Sequence, residues 1–118
     1  MIQRLIALLF LSREIAHREH LRTRSYAQHM ALGEFYEAVV EKADSIAEAY
    51  QGRRGLIEDI PYLQAPGTDI IDSLERQLAA IEKIRYTAVP KEETAIQNLI
   101  DEAVALHLTA LYKLRILK

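Results

Sequence analysis

The chain has 118 residues, a length that suits one hydrophobic core and excludes two, so we expect residues 1–118 to form a single domain. Half of the residues are hydrophobic and 27% are charged, which excludes an extended disordered chain. A formal net charge of −2 supplies no general positive field, so DNA binding is not predicted.

Cysteine is missing from the sequence, which excludes disulfides, thiolate metal sites and a cysteine nucleophile. The longest apolar run, residues 5–11, is far shorter than the ~20 residues that span a bilayer. It also lacks the small-residue cleavage site of a signal peptide. These features predict a soluble, cytoplasmic protein in which any metal ion would be bound by histidine and carboxylate side chains.

Apolar residues recur at helical spacing from Ile2 onwards, without the strict alternation of a β-strand. The first helix ends at a short polar segment, in which Thr23 or Ser25 can cap the second helix. A Gly/Pro-rich segment separates the second helix from a third, and Pro90 suits the first turn of a fourth. The predicted helices cover residues 2–22, 25–51, 68–86 and 90–116.

We therefore expect an all-α fold, an antiparallel four-helix bundle. The long connection between helices two and three, residues 52–67, constrains its topology. About 15 extended residues reach ~50 Å, enough to run back along a second helix of ~40 Å. The connection thus allows the long crossover of ferritin-like bundles, in which helices two and three are parallel, although a simple hairpin loop also fits.

Helix one is apolar on almost every side between Ile2 and Leu11. One face of a bundle cannot hide that much apolar surface. We therefore expect a homo-oligomer, at least a dimer, with helix one partly buried between chains.

A polar stripe follows helix two, beside its apolar stripe, and contains His29, Asp44 and Glu48. The two carboxylates are one turn apart and can chelate a divalent ion through hard oxygen ligands. His29 lies about 22 Å from Asp44 along the helix axis, so one chain cannot close such a site. An antiparallel two-fold copy of helix two would bring His29 of one chain to Asp44 and Glu48 of the other.

The histidines around the first turn, His17, His20 and His29, together with Asp44 and Glu48, resemble the Dps branch of the ferritin-like superfamily. That family carries a histidine on either side of the first interhelical turn, followed by Asp-x-x-x-Glu. The resemblance covers about residues 14–52. It implies that histidines of one subunit and carboxylates of its two-fold mate bind iron, or another divalent metal such as Mn or Zn. It also implies ferroxidase activity, the oxidation of Fe²⁺ by peroxide or oxygen.

Either His17 or His20 can be the first histidine of this pattern. The step from His17 to His29 agrees with the family, whereas alignment on His20 shortens the turn by three residues. His20 is followed by Leu21, where the family normally has Trp. The metal ligands predicted from the sequence therefore include both candidates.

Gly33 stands where the family has a further carboxylate, which leaves Glu34 or Glu37 as substitutes. The segment from Ser25 to Tyr36 is also similar to small uncharacterised bacteriophage proteins, a likeness that implies no activity. The expected setting is therefore the cytoplasm of a bacterial or phage-infected cell.

Two other functions fit the same residues. A non-catalytic, oligomeric helical interaction or assembly protein would also carry polar helix faces with i,i+4 pairs. A MazG-like, Mg-dependent nucleotide pyrophosphatase uses paired acidic motifs on two helices, whereas Glu34-Phe-Tyr-Glu37 and Glu41-Lys-Ala-Asp44 share one helix here. His107 falls on the apolar stripe of helix four, which predicts a core histidine bonded to a carbonyl or to tyrosine.

Overall fold

A computed structural model describes residues 1–65 and 67–118, and the described residues form four α-helices without a strand. The all-α, four-helix prediction is confirmed. The helices are α1 (Ile2–Arg22), α2 (Tyr26–Arg54), α3 (Ile70–Ala88) and α4 (Thr94–Ile116).

Local hydrogen bonds explain where α2 begins and ends. The Ser25 hydroxyl accepts a hydrogen bond from the backbone N–H of Gln28 at 3.2 Å, so Ser25 rather than Thr23 is the N-cap. The helix continues through Gly52 to Arg54, three residues beyond the approximate end predicted at residue 51. Gly55 then leaves the helix with φ of 93°, a conformation that glycine adopts without a Cβ clash.

The starts of α3 and α4 also differ from the predicted ones. Asp69 caps α3 by accepting a 3.0 Å hydrogen bond from the Asp72 N–H, so this helix begins at Ile70. The predicted start of α4 at Pro90 is wrong. Residues 90–93 form a turn instead, in which the Glu93 N–H donates to the Pro90 carbonyl at 3.0 Å.

Each helix packs against two others: α1 and α4 both contact α2 and α3. Two ion pairs show the order of contacts between α2 and α4. Glu34, early in α2, pairs with Lys113 late in α4 at 2.6 Å, and Lys42 pairs with Glu102 at 3.0 Å. Residue numbers therefore rise along α2 as they fall along α4.

Part of the connection between α2 and α3 packs on the core and lies beside α1. Ile57, Ile60 and Leu63 of this segment pack against the core, and Ile60 and Leu63 border an apolar groove of about 630 Å³ beside Phe10 of α1. Ile2 and all but one of the apolar residues from Leu5 to Leu11 are buried within the protomer. Because these intramolecular contacts account for the apolar surface of helix one, that surface no longer argues for an oligomer, which stays a prediction.

No helix among the described residues is both long enough and apolar enough to cross a bilayer.

Candidate metal centre

The α1–α2 turn brings two of the predicted ligands, His20 and His29, into direct contact. The Nδ1 atom of His20 lies 2.7 Å from the carbonyl oxygen of His29, and the Nδ1 atom of His29 lies 2.8 Å from the carbonyl oxygen of His20. The two rings stack with their centroids 3.8 Å apart. Because a carbonyl only accepts, each Nδ1 carries a proton, and in the neutral form of each ring the lone pair lies on Nε2.

This reciprocal pair has two chemical consequences. It ties the last turn of α1 to the first turn of α2, so the histidines stabilise the turn without any ligand. It also sets the orientation in which ligating histidines are usually held, with one ring nitrogen donating to a carbonyl and the other available to a metal.

His17 lies beside this pair and packs on Tyr36. Its ring stacks on the Tyr36 ring at 4.2 Å between centroids and lies 6.3 Å from the ring of His20. The guanidinium of Arg13 lies 5.8 Å from the Tyr36 centroid on the same surface. His17 and His20 thus both face the α1–α2 contact, and the structure leaves both available as the first histidine.

The predicted carboxylate ligands lie elsewhere on α2. Asp44 and Glu48 are both exposed, and neither forms an ion pair or a side-chain hydrogen bond with the described residues. Within residues 1–65 and 67–118, no three histidine or acidic side chains are grouped so that they could hold a metal ion. One protomer therefore brings the histidines together but not the histidines with Asp44 and Glu48.

Gly33 has a steric role where the resemblance implies a carboxylate. A Cβ atom at this position would lie 3.0 Å from Cε1 and 3.3 Å from Nδ1 of His20. The missing side chain leaves room for the His20 ring against α2. Glu34 is paired with Lys113, and Glu37 is exposed and forms no ion pair or side-chain hydrogen bond with the described residues.

The acidic motifs considered for a pyrophosphatase lie along α2 alone. Four exposed acidic residues follow one another at intervals of three or four positions along this one helix: Glu34, Glu37, Glu41 and Asp44. They do not face one another across a cleft of the protomer.

A buried polar network joins α1, α3 and α4 in the core. Within it, Nδ1 of His107 donates to the Ala103 carbonyl at 2.8 Å, so Nε2 accepts from the Ser12 hydroxyl at 2.8 Å. Gln77 donates from Nε2 to Ser12 Oγ at 3.0 Å and to the Leu8 carbonyl at 2.7 Å. Burial lowers the pKa of His107 to about 4, against the opposing effect of the hydrogen bond to Ala103, so the ring is neutral near pH 7.

The core position of His107 and its bond to a carbonyl agree with the sequence prediction. Ser12 and Gln77, the other two members of the network, were not predicted from the sequence. Both are polar residues at core positions of their helices, and that register was the available signal.

A second buried group, Arg85, fastens the end of α3 to α4. Its guanidinium donates to the side-chain oxygen of Gln97 at 2.9 Å, to the backbone carbonyl of Gln97 at 3.0 Å and to Asp101 at 2.7 Å. Gln97 in turn donates to the Val89 carbonyl at 2.9 Å. These bonds satisfy polar groups beside the α3–α4 turn and explain how an arginine is buried there.

Comparison with known proteins identifies a family but no characterised relative. The chain matches no curated protein and no solved structure. The model of a family described as "Family of unknown function (DUF5856)" matches residues 20–114, which include His20, His29, Asp44, Glu48 and the buried network except Ser12. Since the match covers most of the chain, the protein belongs to this family of unknown function, DUF5856.

Proposed function

We propose that this protein is a Dps-like, ferritin-like metal-binding protein whose site is completed by a second chain. His17 or His20, together with His29, would supply imidazole ligands from one subunit. Asp44 and Glu48 of its two-fold mate would supply oxygen ligands. The observation that carries the proposal is the Nδ1 hydrogen bond of His20 and of His29, which leaves Nε2 as the ligand atom of each ring.

The helix arrangement supports an antiparallel, ferritin-like bundle. Contacts between α3 and α4 run in opposite order, with Glu75 paired to Arg115 and Arg85 paired to Asp101. The same opposite order holds for α2 and α4. Helices α2 and α3 then share a direction, and their connection would be the long crossover of ferritin-like bundles.

The ligand set is compatible with iron. Neutral imidazole and carboxylate bind Fe²⁺, Mn²⁺ and Zn²⁺ without thiols, and the chain has no cysteine. With Fe²⁺ bound, the proposed activity is oxidation to Fe³⁺, with oxygen or peroxide as the electron acceptor.

Metal titration followed by thermal unfolding tests the binding step. Under anaerobic conditions Fe²⁺, and separately Mn²⁺ or Zn²⁺, should raise the midpoint of unfolding of the wild type, because a ligand that binds only the folded state stabilises it. Asp44→Ala/Glu48→Ala should abolish the shift. Glu58→Ala/Asp59→Ala removes two exposed carboxylates from the connection and is the matched control.

His29→Asn separates ligation from turn stability. The Asn amide nitrogen can replace Nδ1 as donor to the His20 carbonyl, but nothing replaces Nε2. This variant keeps a donor to the His20 carbonyl but loses the stacking on the His20 ring, so it should fold with somewhat lower stability and lose the metal-dependent shift. A wild type that shows no shift with any of the three metals would overturn metal binding.

Mixing two inactive variants tests whether the site is shared between chains. In a two-fold dimer of His29→Asn with Asp44→Ala/Glu48→Ala, one of the two sites keeps both its histidines and its carboxylates. Random pairing after co-refolding of equal amounts makes about half of the dimers mixed ones, so metal binding should return to about a quarter of all sites. If the mixture stays inactive while the wild type binds metal, the ligands do not come from two chains.

A second candidate, a non-catalytic helical assembly protein, is favoured by the His20–His29 contact itself. These histidines already hold α1 to α2 through two hydrogen bonds, which is a sufficient structural role. Under this alternative the chain self-associates without metal, and His29→Asn changes nothing in a metal titration.

A further inference from the structure

The outer face of α4 between Ala105 and Ile116 is apolar and uncovered. Leu108, Tyr112 and Ile116 are 53%, 51% and 63% exposed, and Ala105 on the same face is also exposed. Their spacing of three and four residues aligns them along ~17 Å of helix. We call these four residues the α4 outer face.

The middle of α4 has no acidic or basic side chain other than a histidine. From Ala103 to Tyr112 the sequence contains no aspartate, glutamate, lysine or arginine, and His107 points into the core. A surface helix normally carries charged residues on its outward side. The face thus has the composition of a helix contact although the described residues leave it exposed.

Charged residues flank the α4 outer face, and they are acidic at its N-terminal end and basic at its C-terminal end. Asp101 and Glu102 precede it, and Lys113 and Arg115 lie at its other end, each also paired within the protomer. In a parallel pair of α4 helices, like charges would meet at both ends. In an antiparallel pair, the acidic end of one helix lies beside the basic end of its copy.

The sizes of the side chains on the α4 outer face also favour an antiparallel pair of α4 helices. A two-fold axis at Leu108 sets Leu108 against its copy and each Tyr112 ring against the small side chain of Ala105 in the other chain. It also brings Asp101 close to Arg115 of the copy. A parallel pair would instead crowd the two Tyr112 rings together.

We propose that the α4 outer face binds a second copy of this chain through Ala105, Leu108 and Tyr112, with the two α4 helices antiparallel about a two-fold axis at Leu108 and Ile116 at the edge of the contact. This contact is independent of the proposed metal site, which uses α1 and α2. The α4 contact should form without metal. A chain that does not dimerise in the presence of a chelator would therefore contradict this contact and leave the proposed metal binding to its own test.

Sedimentation velocity in the presence of a chelator tests the association. The wild type should show a dimer fraction that rises with protein concentration, and Leu108→Glu should be monomeric because two carboxylates meet on the axis. Leu56→Glu, at a leucine that is 88% exposed in the connection, is the control and should dimerise like the wild type. A wild type that is monomeric up to ~1 mM, or a Leu108→Glu dimer, would overturn the proposal.

Cysteine cross-linking tests the direction of the pair, since the chain has no cysteine of its own. A mixture of Ala105→Cys and Tyr112→Cys should form an intermolecular disulfide faster than either variant alone, because the antiparallel pair sets these positions opposite each other. Faster cross-linking by each variant alone would indicate a parallel pair and contradict the proposal. A mixture that cross-links no faster than the exposed control Thr94→Cys would do the same.

Discussion

The Nε2 atom of His107 in α4 lies 2.8 Å from the hydroxyl oxygen of Ser12 in α1, although the two residues are 95 positions apart in the chain. This bond crosses the core between two helices whose backbones do not contact each other. Gln77 of α3 completes the network by donating to the same hydroxyl. Three helices are therefore joined through one buried oxygen atom.

The lowered pKa of His107 predicts a stability that depends on pH. In the unfolded chain this histidine titrates near 6.5, whereas burial lowers its pKa to about 4 in the folded protein. Between these values the unfolded state binds more protons, so the stability should fall as the pH drops from about 6.5 towards 4. The limiting loss from this group is about 3 kcal/mol, measured by urea unfolding at several pH values. His107→Gln should reduce this slope, and an unchanged slope would show that another group causes it.

Ser12→Ala should destabilise the protein strongly, although it removes only one hydroxyl group. It removes the partner of His107 Nε2 and one of the two acceptors of Gln77, both of which stay buried. The expected loss is ~2–3 kcal/mol in the free energy of unfolding. Ser45→Ala is the matched control, because this exposed hydroxyl donates only to the Glu41 carbonyl one turn earlier. Equal losses at the two serines would contradict the importance of the network.

Gly33→Ala should stabilise the helix only when the His20 ring is absent. Alanine in a helix is favoured over glycine by ~1 kcal/mol. In the wild type, however, the new Cβ would displace a ring that is held by a hydrogen bond and by stacking on His29. We expect Gly33→Ala to gain ~1 kcal/mol in a His20→Ala background and to gain nothing or lose stability in the wild type. Thermal unfolding of the four proteins measures this coupling, and the same gain in both backgrounds would refute it.

Arg85→Lys should not be a conservative change. The guanidinium makes three hydrogen bonds to Gln97 and Asp101 that a single ammonium group cannot reproduce. We expect a loss of ~1–3 kcal/mol in chemical unfolding, mostly from acceptors left without partners. Arg76→Lys is the control, because its ion pair with Asp72 is exposed to solvent and should contribute little to the free energy of unfolding. If Arg85→Lys loses no more stability than Arg76→Lys, the arrangement of the guanidinium donors of Arg85 does not contribute to the free energy of unfolding.

Residue spacing in the sequence predicted some features of the candidate site and not others. Spacing placed His20 and His29 on either side of the first turn, but their mutual hydrogen bonds depend on how closely the helices approach at Gly33. It also placed Asp44 far from His29, and the structure agrees that one protomer does not join them. Whether they meet depends on a second chain, which no spacing within one chain determines.

The number of helices and their approximate limits were determined by the sequence alone, because helical periodicity, Ser25, Asp69 and the Gly/Pro-rich connection are local signals. The start of α4 was not, since Pro90 fits both a helix and the turn it adopts; in the folded chain Gln97 of α4 donates a hydrogen bond back to the Val89 carbonyl before that turn. Tertiary structure alone decided that residues of the connection lie beside Phe10 of helix one and that Ser12, Gln77 and His107 share one network. These contacts join residues far apart in the chain, so they depend on which helices become neighbours.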